Sequence, residues 1–354
     1  MANRSQARKP EYDVLRIFSI FTVIIIHVIG NAFFGMDEID SAWWNKLNLL
    51  DSGLRWCVPV LVMLSGALFL NPEKRISIKE IYGKYIFRIV TAFLFWSILY
   101  TVVNYCKYPR ELDALHCIAD FAISAILKPN YHLWYIYLIV GLYMITPILR
   151  QAISTCTDNL LCYWIGLMFV FGIVIPTLRD ISLFESYFGS ALDSMCMEFL
   201  AGYVFYYVVG YYISSRQIRY QKIVYAAGII GYIATALGTI ICSSHAGYTV
   251  AVYDYLYPNT VAIAIAVFVF FTKEGEKWSF STKVSNTLKA LSSSMFGVYL
   301  VHDFVLQLLN CCDITIRVFR SIAVAILIAV AVFVSCSAII LMLRKVPFAR
   351  KHLL

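Results

Sequence analysis

The sequence has little charge and no recognisable motif of a soluble enzyme. Only 14% of its 354 residues are charged and 61% are apolar or aromatic, whereas a soluble globular domain has about 25% charged residues. A compact soluble domain is therefore excluded, and so is disorder, which requires low hydrophobicity. The chain also has no Walker loop, no GxGxxG after a strand, no HExxH and no GxSxG elbow. The chemistry of those soluble enzymes is therefore not indicated.

The ten cysteines form no CxxC pair and no cluster that is typical of a metal site. Most of them lie inside apolar runs, where cysteine behaves as a small hydrophobic residue. We therefore expect no bound metal. Cys106 and Cys117 fall in one polar loop, and the sequence leaves open whether they pair.

Long apolar runs take up most of the chain and predict an all-α integral membrane protein. A helix needs about 20 apolar residues to cross the hydrocarbon core. Hydropathy predicts ten such spans, at residues 14–34, 50–70, 85–105, 132–149, 160–178, 195–213, 223–243, 256–272, 293–312 and 319–343. The run 118–127 is too short to cross and is expected at the membrane surface. We expect residues 1–354 to form a single transmembrane domain without a soluble extension domain.

The charges that are present are distributed unevenly. The formal net charge is +8, and with a cytoplasmic N-terminus most of the 29 lysines and arginines fall on the cytoplasmic side. This alternation follows the positive-inside rule and predicts ten spans with both termini in the cytoplasm. We therefore expect membrane lipids, and not nucleic acid, to be the partners of the basic surplus.

One face of the predicted first helix carries ionisable residues into the bilayer. Arg16 and His27 are 11 positions apart, which is close to three turns, so they share a face about 16 Å apart along the axis. Asp13 precedes Arg16 by three residues and is placed to pair with it. Arg16 alone could extend to the headgroups, and His27 alone could be a hydrogen-bonded interior residue. The two together favour a functional site, because ionisable residues inside a span are costly.

Further basic residues have two competing explanations each. Arg55 either binds an anionic or polyhydroxyl substrate or pairs with Asp51, one turn earlier. The segment after the second span either orients the protein and contacts anionic lipid or binds a phosphorylated cytoplasmic donor. Its cations are Lys74, Arg75, Lys79, Lys84 and Arg88.

Two more histidines lie in or at the edge of predicted spans. His132 and Trp134 open one span, where an aromatic belt at the membrane interface is the simple explanation. His302 and Asp303 fall near the middle of another span. Adjacent helical residues point about 100° apart, so these two are not expected to form one paired unit.

Short motifs lie in a fixed order along nearly the whole chain. They are YDVLR at 12–16 with His27, Arg55 with VP at 58–59 and SG at 65–66, HLW at 132–134 with LY at 142–143 and TPIL at 146–149, and GVYLVH at 297–302. Each motif is weak alone, but the ordered set resembles the acyltransferase 3 family of bacterial inner-membrane acyltransferases. The pattern is most similar to the standalone enterobacterial-common-antigen O-acetyltransferase type.

The resemblance implies an O-acyltransferase of the bacterial inner membrane. Members of this family move an acyl group, commonly acetyl from acetyl-CoA, to hydroxyls of cell-surface or lipid-linked carbohydrates. The resemblance places Arg16 near the CoA end of the site and makes His27 the essential histidine.

The reaction needs a base, because a sugar hydroxyl attacks a thioester poorly while it keeps its proton. We expect His27 to be the general base, with Asp13 and Arg16 organising the CoA end. Lys84 and Arg88, together with Arg16, are expected to bind the phosphates of CoA. The acceptor side or the acyl path is expected to be lined by Arg55, His132, Trp134 and His302.

The sequence leaves several alternatives open. An acyl-histidine intermediate and direct transfer are both compatible with it, as are acetyl and succinyl groups, and neither the acceptor sugar nor the oligomeric state is specified. A transporter or flippase of a lipid-linked glycan is a competing function, although transporters often consist of two related halves and no internal symmetry is visible. A non-catalytic sensor is a further alternative, but the short loops offer it little docking surface.

Overall fold

All regular secondary structure in the described part of the chain is helical. The computed structural model describes residues 8–34, 36, 38–74, 76–107, 114–197, 200, 202–249 and 252–354, with the side chains of residues 31 and 114–119 excepted. Within these ranges every regular element is a helix, so the predicted all-α class is confirmed. Arg75 and the side chain of Cys117 lie outside the described residues, and Cys106 is exposed.

The helices follow one another with short connections. They are α1 (Pro10–Phe33), α2 (Ala42–Ser52), α3 (Cys57–Phe69), α4 (Ile78–Lys107), α5 (Ala114–Ile126), α6 (Tyr131–Thr155), α7 (Asp158–Arg179), α8 (Ser182–Ser194), α9 (Val204–Ser215), α10 (Gln221–Ala246), α11 (Pro258–Val269), α12 (Thr282–Ser292), α13 (Met295–Cys311), α14 (Ile316–Phe319), α15 (Ile322–Leu343) and α16 (Pro347–His352).

The described residues contain seven helical stretches that are long and apolar enough to cross a membrane, or eight if the bent pair α12–α13 is one span. Each overlaps one of the ten predicted spans. The predicted spans 195–213 and 256–272 fall on α9 and α11, which have 12 residues each and are not among those stretches. A multi-pass membrane protein is thus supported, while the count of ten and the cytoplasmic termini stay predictions. The predicted surface segment 118–127 falls in α5, whose 13 residues are too few to cross.

Two of the long stretches are interrupted near polar residues. The stretch Ala42–Phe69 breaks between α2 and α3, and Pro59 lies in the first turn of α3, where a missing N–H costs no helical hydrogen bond. Helices α12 and α13 meet at an angle of 57°. Breaks of this kind in a membrane protein occur where backbone groups are buried in protein or line a cavity.

Glycines allow α9 to pack directly on α3. A Cβ atom on Gly66 would lie 1.8 Å from the carbonyl oxygen of Tyr207, and one on Gly210 would lie 2.0 Å from the carbonyl oxygen of Met63. Small residues at an interface let two helix backbones approach, which is how membrane helices gain packing contacts. The short α9 is thereby held in the protein interior, with most of its side chains buried.

Helix α1 occupies a central position and contacts α2, α3, α12, α13 and α15. Its apolar residues contribute to both hydrophobic clusters of the interior. Most of α1 therefore meets protein, although Phe18 is exposed, and the face that carries Arg16 and His27 is directed towards other helices.

Candidate functional site

The N-terminal end of α1 is an ionic cluster. Asp13 is buried and accepts hydrogen bonds from Nε and Nη2 of Arg8 at 2.6 and 2.7 Å. Arg16 approaches Asp13 only to 3.9 Å and donates instead to the hydroxyl of Ser292 at 2.9 Å. The expected pair of Asp13 with Arg16 is thus the weaker contact. The sequence did not single out Arg8 as the closer partner.

The break between α12 and α13 is bound by two arginines from other helices. Arg16 reaches Ser292 from α1, and Arg344, which follows α15, donates to the hydroxyls of Ser293 and Ser294 at 2.5 and 2.9 Å. Sequence reasoning counted Arg344 only as an orienting charge. Its position after a long apolar run gave no signal of this contact.

Arg88 lies near the same end of the molecule. It donates through Nε, at 2.7 Å, and through Nη2 to the main-chain oxygen of Leu354. Lys84, one turn before Arg88, is exposed and holds its Nζ 5.3 Å from the ring centre of Tyr85. The cations that were expected to bind phosphates therefore include two arginines that make hydrogen bonds within the protein and one solvent-accessible lysine.

The other end of the Arg16–His27 face borders a cavity. Two histidines and several aromatic rings form much of its wall. The lining residues are Val23, Ile26, His27, Cys57, Val58, Leu61, His132, Trp134, Tyr135, Tyr255 and Tyr299. Mainly apolar walls with a few convergent polar groups are typical of small-molecule sites.

Three histidines from three helices meet beside this cavity. His302 stacks on His27 with ring centroids 5.1 Å apart and meets His132 edge-on at 5.0 Å. His302 Nδ1 lies 2.6 Å from the carbonyl oxygen of Tyr299, so Nδ1 carries the proton and donates. His302 itself is fully buried and stands behind the cavity wall.

The unpartnered atoms of this group are ring nitrogens. Among the described residues, Nε2 of His302 and both ring nitrogens of His132 are buried without a hydrogen-bond partner. Buried polar atoms in native proteins are nearly always paired, so their exceptions are candidates for ligand contacts. In the part of the chain that the structure describes, no group of three or more His, Cys, Asp and Glu side chains has the arrangement of a metal site.

Asp303 approaches His132 from α13. Its Oδ2 lies 3.8 Å from Nδ1 of His132. The same carboxylate accepts hydrogen bonds from Asn130 Nδ2 at 2.7 Å, Tyr131 Oη at 2.8 Å and Gln307 Nε2 at 2.9 Å. Sequence reasoning noted Asp303 only as the neighbour of His302. An ionisable residue in the middle of a span was the available signal.

Arg55 pairs with Asp51, the residue one turn earlier, so one of its two predicted roles is observed. Its guanidinium carbon also lies 4.3 Å from the ring centre of Tyr253. Asp51 Oδ1 and Arg55 Nε, both buried, have no hydrogen-bond partner among the described residues. Arg55 is not among the residues that line the cavity.

Aromatic rings form one side of the cavity. Trp134 stacks on Tyr255 with centroids 5.9 Å apart and planes 20° apart, and it contacts Tyr203 at 5.8 Å. Burial raises the pKa of the Tyr255 hydroxyl, so this group stays protonated. Of the residues expected on the acceptor side, His132 and Trp134 line the cavity, whereas Arg55 and His302 do not.

Comparison with protein-family models gives a match over residues 9–342, to a model described as an acyltransferase domain. The matched range includes both the ionic cluster at the start of α1 and the histidines around the cavity. Comparison with curated proteins and with solved structures gives no match.

Proposed function

This chain belongs to the acyltransferase 3 family, and on that premise we propose that it is an acetyl-CoA-dependent O-acetyltransferase of the bacterial inner membrane. Its acceptor would be a hydroxyl of a cell-surface or lipid-linked carbohydrate. The resemblance to the enterobacterial-common-antigen type supports a lipid-linked acceptor. The family supports acyl transfer in general, and the long apolar helices support a multi-pass membrane protein.

One observation carries the proposal: two histidines from different helices, His27 and His132, line the same cavity. Imidazole is the side chain best suited to move protons near neutral pH. The reaction of a hydroxyl with a thioester requires proton removal as the oxygen bonds to the acyl carbon. We therefore propose that the thioester and the hydroxyl meet in this cavity. His27, from α1, takes part in the reaction there.

The acceptor side of the proposed site is aromatic. Trp134, stacked on Tyr255, offers an apolar ring face to a sugar ring. His132 offers ring nitrogens that have no partner among the described residues. Arg55 and His302 support this side from behind the cavity wall.

The donor side lies at the N-terminal end of α1. We propose that Arg16, Lys84 and Arg88 bind the phosphates of acetyl-CoA and that Asp13 positions the arginines of this end. Guanidinium groups suit phosphates because their N–H donors match the phosphate oxygens. The axial separation of about 16 Å between Arg16 and His27 leaves room for the extended pantetheine arm between the two ends.

The test is acetyl transfer by the purified protein in liposomes. The liposomes contain a lipid extract of bacterial inner membranes with its lipid-linked sugars, and the donor is acetyl-CoA labelled in the acetyl group. We expect release of CoA thiol together with labelled glycolipid. His27→Ala is expected to lower both by about 100-fold or more, whereas His245→Ala, a matched change at an exposed histidine of α10, leaves them unchanged.

Two results would contradict the proposal. A folded His27→Ala variant that keeps the full rate removes His27 from the reaction. Movement of the glycolipid across the bilayer without CoA release identifies a transporter and not an acyltransferase.

A further inference from the structure

Asp303 is a buried carboxylate whose contacts are all with potential proton donors. It is 4% exposed, and Asn130, Tyr131 and Gln307 all donate hydrogen bonds to it. The oxygens of a carboxylate accept hydrogen bonds, so these three donors match its acceptor sites. The three donors also fix the direction of the carboxylate.

His132 is the histidine that this carboxylate faces. It is 1% exposed, lines the cavity and holds Nδ1 3.8 Å from Asp303. In a pair of this kind the carboxylate orients the imidazole and stabilises the imidazolium that forms when the ring takes up a proton. This approach is longer than a hydrogen bond, and both ring nitrogens are without a hydrogen-bond partner among the described residues. Because Nδ1 is the nitrogen beside the carboxylate, Nε2 is assigned to receive the proton in the proposal below.

Three other residues near His132 make hydrogen bonds to main-chain oxygens. The hydroxyl of Tyr299 donates to the main-chain oxygen of His132 and thereby fixes its backbone. The hydroxyl of Tyr100 donates to the carbonyl oxygen of Leu300, and His302 donates to that of Tyr299.

His27 has no such carboxylate. Among the described residues its ring meets His302 and the edge of the Tyr131 ring, at 5.2 Å. No carboxylate of the described residues makes an ion pair with it. The two histidines that line the cavity therefore differ: His132 lies 3.8 Å from a carboxylate, whereas His27 makes no ion pair with a carboxylate of the described residues.

We propose that His132, positioned by Asp303, is the base that activates the acceptor hydroxyl, and that His27 positions the acyl thioester in the same cavity without bonding to it. This inference rests on the proposed function. The hydroxyl O–H bond breaks and its proton passes to Nε2 of His132 as the oxygen bonds to the acyl carbon. The C–S bond breaks and the thiolate leaves with the bonding electrons. The thiolate is protonated from water and His132 returns its proton to water, so no net proton is consumed.

The experiment uses the same liposomes, donor and lipid extract, with full kinetics for the wild type, His132→Gln, Asp303→Asn and the double variant. Glutamine keeps hydrogen-bonding capacity but cannot take up a proton. We expect His132→Gln to lower kcat by about 100-fold or more while KM for acetyl-CoA changes by less than about 3-fold. Asp303→Asn is expected to lower kcat by about 10-fold or more. The double variant should be no slower than His132→Gln, because the two residues act as one unit.

Hydroxylamine provides a second readout, since this strong nucleophile attacks acyl groups without a base. In His132→Gln it should restore CoA release, above a protein-free blank, to at least about 10-fold the rate with the lipid acceptor. A purely structural defect would not be restored. His245→Gln serves as the matched control and should keep the wild-type kcat.

Several results would overturn the inference. They are a folded His132→Gln variant with near-wild-type kcat, a loss that appears only in KM, additive losses in the double variant, or no restoration by hydroxylamine. If His132→Gln does not fold, the inference is tested with Asp303→Asn instead. Its kcat and its response to hydroxylamine are then the two measurements that support or overturn the inference. A wild type that makes no acetylated product overturns the proposed function itself, which separates the two failures.

Discussion

His302 lies against the ring of His27, with centroids 5.1 Å apart and an angle of 29° between the ring planes. The His302 ring is itself fixed by its hydrogen bond to the carbonyl oxygen of Tyr299. A residue at the middle of α13 thereby sets the position of a residue of α1 that borders the cavity. This relationship makes His302 a support of the site and not part of the cavity surface.

The first prediction concerns this support. His302→Ala removes the side-chain donor to the Tyr299 carbonyl and opens space beside His27, so we expect the free energy of unfolding to fall by about 2–4 kcal/mol. His302→Asn has an amide nitrogen near the position of Nδ1 and should recover part of the loss. Thermal unfolding in detergent micelles, with CoA release measured in parallel, checks both variants. Equal behaviour of Ala and Asn would show that the Tyr299 hydrogen bond is unimportant.

The second prediction concerns the contact between α3 and α9. Gly66→Ala places a methyl group against the backbone at Tyr207, so the helices must separate, at a cost of about 1–3 kcal/mol or more. Gly141→Ala is the matched control in α6, because a Cβ there meets nothing within 4 Å. Thermal unfolding of the two variants should differ clearly. Equal transition temperatures would argue against the close packing of α9 on α3.

The third prediction concerns the buried pair of Asp51 and Arg55. Removing one partner leaves the other charge uncompensated, so Asp51→Asn or Arg55→Gln alone should each destabilise the protein by about 3–5 kcal/mol. The double variant should be less destabilised than the sum of the single variants. Unfolding measurements on all four proteins give the coupling free energy. Additive losses would mean that the pair contributes no coupling.

The fourth prediction concerns Arg344, which binds the serines at the break before α13. Because Arg344 and Arg16 bind adjacent serines at this break, we expect Arg344 to help bind the CoA phosphates. Arg344→Gln should raise KM for acetyl-CoA by about 10-fold through loss of a charge-assisted contact, with little change in kcat. Lys351→Gln, at an exposed lysine of α16, is the control. A loss confined to kcat would exclude donor binding by Arg344.

Sequence patterns predicted the parts of the fold that depend on residues close to one another in the chain. Hydropathy predicted the seven long apolar stretches, or eight with the bent pair α12–α13, because an apolar run of about 20 residues is a property of one segment. Helical periodicity predicted that Arg16 and His27 share a face, since that face depends only on their spacing. The same local reasoning predicted the pair of Asp13 with Arg16, which lies at 3.9 Å. It missed Arg8, the closer partner of Asp13, because Arg8 lies before the start of α1.

By itself the sequence determined that this protein is built from membrane helices and that a few ionisable residues must be buried inside them. Only the tertiary structure decided which of those residues meet. His132 and Asp303 belong to different helices, and their approach depends on how those helices pack, including contacts such as Tyr299 with the backbone of His132. Packing joins side chains that are far apart in the chain, so neither hydropathy nor periodicity carries that information.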